Sequence, residues 1–288
     1  MDRNLIQRIS VVVVAVPVAV LLVYQGGVAL ALALAAVGSL GAREVFSLAR
    51  KGGVDAVRSL GLVGAAAPSL VAYALLAGGP MSNVGARIWI VTSALVVLLI
   101  LSFVLITRRP DQKPLAAAAV TLFGIVYAGV LPAFVLIMRH GFEGPRSWPG
   151  VALVFFPLVI VWVCDSAAMF GGRAIGGPKL APTVSPGKTR SGALMGVVGA
   201  VAVVPLYHAI VLRPAGIDMV WWHGLLLGAI LGVVGQIGDL VESLLKREAG
   251  VKDSSALIPG HGGVLDRLDS LYFALPVATM LYLSFGVL

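Results

Sequence analysis

The chain has 288 residues, 59% of them hydrophobic and only 12% charged, with a mean hydropathy of +1.01. That balance excludes an ordinary soluble domain and points to a polytopic membrane protein. The net charge of +8 belongs to loops facing anionic lipid and phosphate ligands, so no nucleic-acid partner is expected, and the single cysteine, Cys164, excludes an intrachain disulfide or a cysteine-based metal site.

Asp2 to Arg8 followed by the apolar run Ile9 to Tyr24 has the outline of a signal peptide. Apolar character resumes at Val28 without a polar, cleavable junction, so an uncleaved first span is expected. Nine candidate spans follow one another at 9–24, 27–45, 59–79, 88–106, 114–138, 151–170, 192–212, 221–243 and 271–287. Most approach the ~20 residues a helix needs to cross the hydrocarbon. With the N-terminus on the cytoplasmic side, 17 of the 21 Lys and Arg residues fall on cytoplasmic loops, as the positive-inside rule requires. The expected fold is therefore an all-α polytopic integral membrane protein of about nine transmembrane helices, N-terminus cytoplasmic.

The two halves differ. Through residue 150 no span carries a charge well inside its apolar run, and 1–150 reads as a transmembrane scaffold. Residues 151–288 read as the catalytic half. Asp165 lies late in span six, and Asp239 and Glu242 lie late in span eight. The two longest cytoplasmic loops, 171–191 and 244–270, follow those spans and are rich in Gly, Pro, Lys and Arg.

A carboxylate inside a spanning helix is costly and marks function by default. Asp239, Glu242 and Ser243 share one helix face by their i,i+3 and i,i+4 spacing, and Glu242 is i,i+4 from Lys246, a spacing that suits an ion pair. Asp266 and Asp269 pair in the same way in "LDRLDS", an arrangement that suits Mg²⁺ or, more simply, a helix N-terminus. "PGHGG" at Pro259–Gly263 offers glycines and His261 to a phosphate, or makes a plain tight turn. Lys188 and Arg190 in "SPGKTR", with Lys246, Arg247 and Lys252 in "KREAGVK", add cations at the same membrane face. Acids alone would suggest an ion path; acids with cations and a Gly-rich turn suggest a metal–polyphosphate site. His140, His208 and His223 are isolated and expected to be structural, and Trp221 and Trp222 read as an interfacial aromatic belt. The glycines of "GALMGVVG" and "GAILG" predict close helix packing.

The stretch "SLLKREAGVKDSSALIPGHGGVLDRLD" resembles the signature of the phosphatidate cytidylyltransferases (CDP-diacylglycerol synthases) at Ser243, Lys246, Arg247, Lys252, Asp253, Pro259, His261, Gly262, Gly263, Asp266, Arg267 and Asp269. "CDSAAMFGGR" and "KLAPTVSPGKT" resemble the family too, with Met169 where an aromatic is common and Gly187 where a lysine is common. The likeness covers 151–288; the first half resembles the family only as generic apolar spans. It implies transfer of CMP from CTP to phosphatidate in phospholipid biosynthesis, with Mg²⁺ as cofactor and a second metal ion left open. Asp239 and Asp266 are then the leading metal ligands, with Asp165 and Asp269 as secondary ligands or orienting groups. Lys188, Lys246, Arg247, Lys252 and His261 serve catalysis, and Ser185, Thr189, Arg190, Ser243, Gly262, Gly263 and Arg267 contact substrate. The implied location is a bacterial-type inner membrane with the site on its cytoplasmic side and membrane lipids as surroundings; a homodimer is left open. Transfer to another lipid phosphate is the near alternative, and an ion-coupled transporter using Asp165 and Asp239 the distant one.

Overall fold

The computed structural model describes residues 3–77, 83–141 and 147–288. Asp2 and Arg146 lie outside the described residues, as do the side chains of Arg3, Arg8 and Arg87. The fold is 79% helical. Among the described residues nine long helices follow in order: α1 (Arg3–Gln25), α2 (Gly27–Lys51), α3 (Arg58–Ala77), α4 (Asn83–Thr107), α5 (Pro114–His140), α6 (Trp148–Ile175), α7 (Arg190–Leu212), α8 (Trp221–Glu248) and α9 (Leu265–Ser284). Seven of them, α2 to α8, are long and apolar enough to cross a membrane. The apolar stretch of α1 is short (Val13–Gln25), and α9 opens with Asp266, Arg267 and Asp269.

The helices outrun the apolar stretches that announce them. Once a helix leaves the hydrocarbon its backbone is still best satisfied by its own hydrogen bonds, and polar side chains there are free to meet water. Thus α6 carries Arg173 and α8 carries Lys246 and Arg247, and the two functional loops shrink to 176–189 and 249–264. The first of these is not plain loop. It forms a two-stranded antiparallel hairpin, β1 (Lys179–Ala181) and β2 (Ser185–Thr189), with Lys179 opposite Thr189 and Ala181 opposite Ser185.

The chain divides into two compact units. One comprises Met1–Ile137 together with Glu248–Arg267; the other comprises Met138–Arg247 with Leu268–Leu288. The loop from Glu248 does not stay with the half that precedes it and packs with the N-terminal unit instead.

In the N-terminal unit Val57, Ile100, Val104, Ala118 and Ile125 form a buried cluster, and the Val57 amide donates to Thr121 Oγ1 at 2.9 Å, fixing the start of α3 against α5. In the other unit the expected small-residue packing is present. A Cβ placed on Gly192 would stand 2.7 Å from the Ala168 carbonyl oxygen, one on Gly196 3.1 Å from that of Cys164, and one on Gly228 2.9 Å from that of Ala200. Helices α6, α7 and α8 therefore meet backbone to backbone, which in lipid is the principal source of helix association. Cys164 is buried at this contact, a small apolar filler as expected. His208 bonds the Met219 carbonyl and His223 stacks on Phe285, both structural roles.

Candidate active site

Two groups of polar residues emerge, one in each unit. In the C-terminal unit, β2 carries Lys188 to α8, where its Nζ meets Asp239 Oδ2 at 2.6 Å across 51 residues of sequence. Both side chains are half-buried. Three local features put Lys188 there. Thr189 caps α7 by accepting the Gly192 amide at 3.1 Å, which starts the helix directly after the strand. The Ser191 hydroxyl donates to the Gly176 carbonyl, closing the base of the hairpin. Arg247, in the last turn of α8, donates through Nε to the Val184 carbonyl at the hairpin turn, at 3.2 Å.

Around Asp239 lie further charges. Ser243 Oγ donates to Asp239 Oδ1 at 3.3 Å, the i,i+4 contact that the spacing predicts; it orients the carboxylate. Asp165 on α6 and Asp269 on α9 both interact electrostatically with Asp239, and Lys188 and Lys246 offset that negative charge. One turn further along α8, Glu242 is fully buried and ion-paired with Lys246, itself 8% exposed. The simpler reading of Glu242, as an acid paired with its i,i+4 lysine, is what the fold contains. Three carboxylates and two lysines thus converge from α6, β2, α8 and α9. Helix α9 approaches closely because position 238 is glycine: a Cβ there would stand 2.6 Å from the Asp269 carbonyl oxygen. Gly238→Ala is accordingly expected to force α8 and α9 apart and cost about 1–3 kcal/mol, as overpacking does. Thermal unfolding in detergent, against Gly187→Ala as a control whose new methyl meets open space, measures it.

In the N-terminal unit the second group is built on the loop 249–264. Gly260 and Gly262 have φ of 72° and 78°, left-handed conformations that favour glycine, and they turn the chain so that the Ile258 amide reaches the Gly262 carbonyl at 2.8 Å. Asp266 Oδ2 then accepts from the Ser254 amide (2.9 Å), the Ser254 hydroxyl (2.8 Å) and the Gly263 amide (2.8 Å). This oxygen holds the loop against the first turn of α9. The Gly263 amide, expected to face a phosphate, is spent inside the loop. Lys252 and Arg267 are exposed, as is Arg190 in the other unit, while Ser185 and His261 are partly buried.

The residue that the sequence reading missed is Glu44. It sits in α2, only 4% exposed, in the half read as scaffold. Its two carboxylate oxygens accept from Ser254 Oγ (2.9 Å), Ser255 Oγ (2.6 Å), the Val264 amide (3.0 Å) and the Leu265 amide (2.9 Å). A side chain on Gly263 would fall on the Glu44 carboxylate and on Ser254 Oγ, so the second glycine of HGG makes room for this clamp. The available signal was an acid near the end of an apolar span, between Arg43 and Val45, where a cytoplasmic charge attracts no notice.

Comparison with known proteins bears on the whole chain. A model of the cytidylyltransferase family matches residues 6–285. The chain belongs to this family. Cytidylyltransferase character therefore extends through the first half, beyond the 151–288 stretch that carries the motifs. Relatives named phosphatidate cytidylyltransferase include one from Synechocystis, 32% identical with 94% of each chain covered, and one from Haemophilus influenzae, 39% identical over 65% of this chain and 64% of its own. A third, from Brucella suis, is 46% identical, and that match takes in 57% of this chain and 56% of the relative, little more than half its length.

As to a cofactor of this cytidylyltransferase, no three carboxylate, histidine or cysteine side chains form a ready-made metal cage among the described residues. Mg²⁺ does not require one: it takes one or two carboxylates and completes its shell with waters and substrate phosphates. The carboxylate oxygens around Asp239 fit that chemistry, beside the Lys188 ammonium that meets Asp239 Oδ2.

Proposed function

We propose that this cytidylyltransferase transfers CMP from CTP to phosphatidate, forming CDP-diacylglycerol and releasing pyrophosphate. The observation that carries the reading is the Lys188–Asp239 pair with Asp165 and Asp269 beside it, cations and acids built into one helical unit of a membrane protein. A soluble polyanion and a lipid phosphate both need such a place.

A phosphate oxygen of phosphatidate attacks the α-phosphorus of CTP; the bond from that phosphorus to the β-phosphate oxygen breaks, and pyrophosphate leaves with the electron pair. The nucleophile is already anionic, so the difficulty is bringing two anions together. Lys188 supplies a fixed cation whose half-buried setting strengthens its pull on phosphate oxygens. Ser243 holds Asp239 in one orientation, and Lys246 keeps Glu242 from adding a second repulsive charge. Arg247 and the Thr189 cap keep the hairpin, and with it Lys188, at a constant distance from α8. Asp239 would hold Mg²⁺, with Asp165 or Asp269 as a second carboxylate, and the ion when bound would neutralise charge on the phosphates. Asp266 is the other leading ligand that the resemblance implies, and its Oδ2 also accepts from the loop.

The test is direct. Purified full-length protein in detergent with labelled CTP, phosphatidate and Mg²⁺ is expected to yield CDP-diacylglycerol. A folded protein that makes none overturns the reading, and a faster reaction with a different lipid phosphate redirects it to that acceptor.

We further propose that the site faces the cytoplasm across a bacterial inner membrane. Single cysteines at positions 50, 109, 190 and 252 should then all be labelled from the cytoplasmic side, because basic loops resist translocation. Labelling of position 252 from the opposite side contradicts the topology.

A further inference from the structure

The N-terminal unit contains a cavity of about 260 Å³ where α2, the start of α3 and the loop after α8 meet. Arg43, Glu44 and Ser47 of α2, Arg58 of α3, and Ser255 and Leu257 of the loop line it. Arg43 and Arg58, both exposed, therefore border a space walled by the loop that carries the family signature.

Their charge is not cancelled from within. Glu44, the acid in the wall, already accepts four hydrogen bonds from Ser254, Ser255, Val264 and Leu265, two of them from amides that open α9. The nearby Asp55 pairs with Arg50 at 3.5 Å. Among the described residues neither Arg43 nor Arg58 is held by a carboxylate. Two cations against one satisfied acid leave the cavity electropositive. Guanidinium groups present paired N–H donors that match the oxygens of a phosphate, and Ser47 adds a hydroxyl. The volume suits one or two phosphate groups and falls short of the ~300 Å³ at which pockets begin to take whole drug-sized ligands. The rest of the ligand must then lie outside.

We propose that this cavity is a subsite for the phosphate group of one of the two substrates, gripped by Arg43 and Arg58. It rests on the cytidylyltransferase reading above and adds two binding residues from the half of the chain that looked like scaffold. Because Glu44 ties the same loop to α2, an occupant of the cavity also braces the loop in place. The bound phosphate belongs either to the phosphatidate headgroup or to CTP; both share the chemistry, and kinetics separates them.

The experiment compares Arg43→Ala, Arg58→Ala and the double variant with Arg50→Ala, whose arginine is likewise exposed but lies outside the cavity and is paired with Asp55. Lys replacements at 43 and 58 serve if the alanine variants fail to fold; they keep the charge and remove the fork. In full-length protein, the double variant is expected to raise KM for one substrate about tenfold or more, the scale of one lost charge-assisted contact, with kcat changed less than about twofold. A rise for CTP identifies the nucleotide, and a rise for phosphatidate in mixed micelles identifies the headgroup. KM values for both substrates that match those of Arg50→Ala overturn the subsite. A second readout does not depend on turnover: stabilisation against thermal unfolding by pyrophosphate, by CTP, and by phosphatidate in a neutral detergent. Loss of one of these in the double variant alone supports the subsite even if no CDP-diacylglycerol is made, whereas equal stabilisation of wild type and variant by every probe overturns it.

Discussion

Asp239→Asn is expected to lower the rate of CDP-diacylglycerol formation by about 100-fold or more, the scale seen when one preorganised charge-stabilising group is removed, while the protein stays folded. The substitution preserves shape and removes charge. Lys188 then loses the carboxylate it meets at 2.6 Å, and the acids on α6 and α9 lose the residue around which they gather. Because Lys188 and Asp239 act as one unit, Lys188→Ala should be about as damaging alone, and the double variant little worse than either. Arg50→Ala, which breaks only an exposed pair with Asp55, should leave the rate within about twofold, since surface pairs contribute little. Initial rates with labelled CTP on monodisperse protein decide it. Near-normal turnover in Asp239→Asn would remove that residue from the site, whatever the family.

Glu44→Ala is the second large effect. It takes the acceptor away from two hydroxyls and two amides at a position 4% exposed. Each donor left buried without a partner costs about 1–3 kcal/mol, so the loop should come away from α2. Turnover is expected to fall about 100-fold, as when a supporting residue remote from the chemistry is lost. Glu44→Gln keeps the size and one acceptor oxygen, and should fall between wild type and alanine. Trypsin reports the loop directly: cleavage after the exposed Lys252 and Arg267 should accelerate in the order wild type, Gln, Ala. If alanine leaves both cleavage and rate unchanged, the clamp is incidental.

What was legible in advance had a local cause. Apolar runs marked α2 to α8 because burial in lipid is a property of a stretch of some twenty residues, read without knowing its neighbours. The i,i+4 contacts Asp239–Ser243 and Glu242–Lys246 follow from helix geometry alone, and small-residue spacing announced the close approach of α6, α7 and α8. Helix ends were misjudged because apolarity stops at the membrane boundary while the helical hydrogen bonds run on. The hairpin at 179–189 was read as loop because its short strands carry Pro and Gly where a strand pattern would need alternation.

The sequence by itself determined the membrane class, the family signature and most of the residues now placed around Asp239 and along the loop after α8. Only the tertiary structure decided which of them meet. Lys188 and Asp239 are 51 residues apart, and Glu44 reaches Leu265 across 221. No periodicity encodes such a pairing, because it depends on how helices pack and where a loop comes to rest. The structure also shows what individual groups touch. Ser243 and the Gly263 amide, expected to contact substrate, donate to Asp239 and Asp266, and Lys246 is held by Glu242. Glu44 shows the reason most plainly. An acid at the end of an apolar span looks like a solvated charge until the fold brings four donors to it, and buried polar groups must find such partners for the fold to stand.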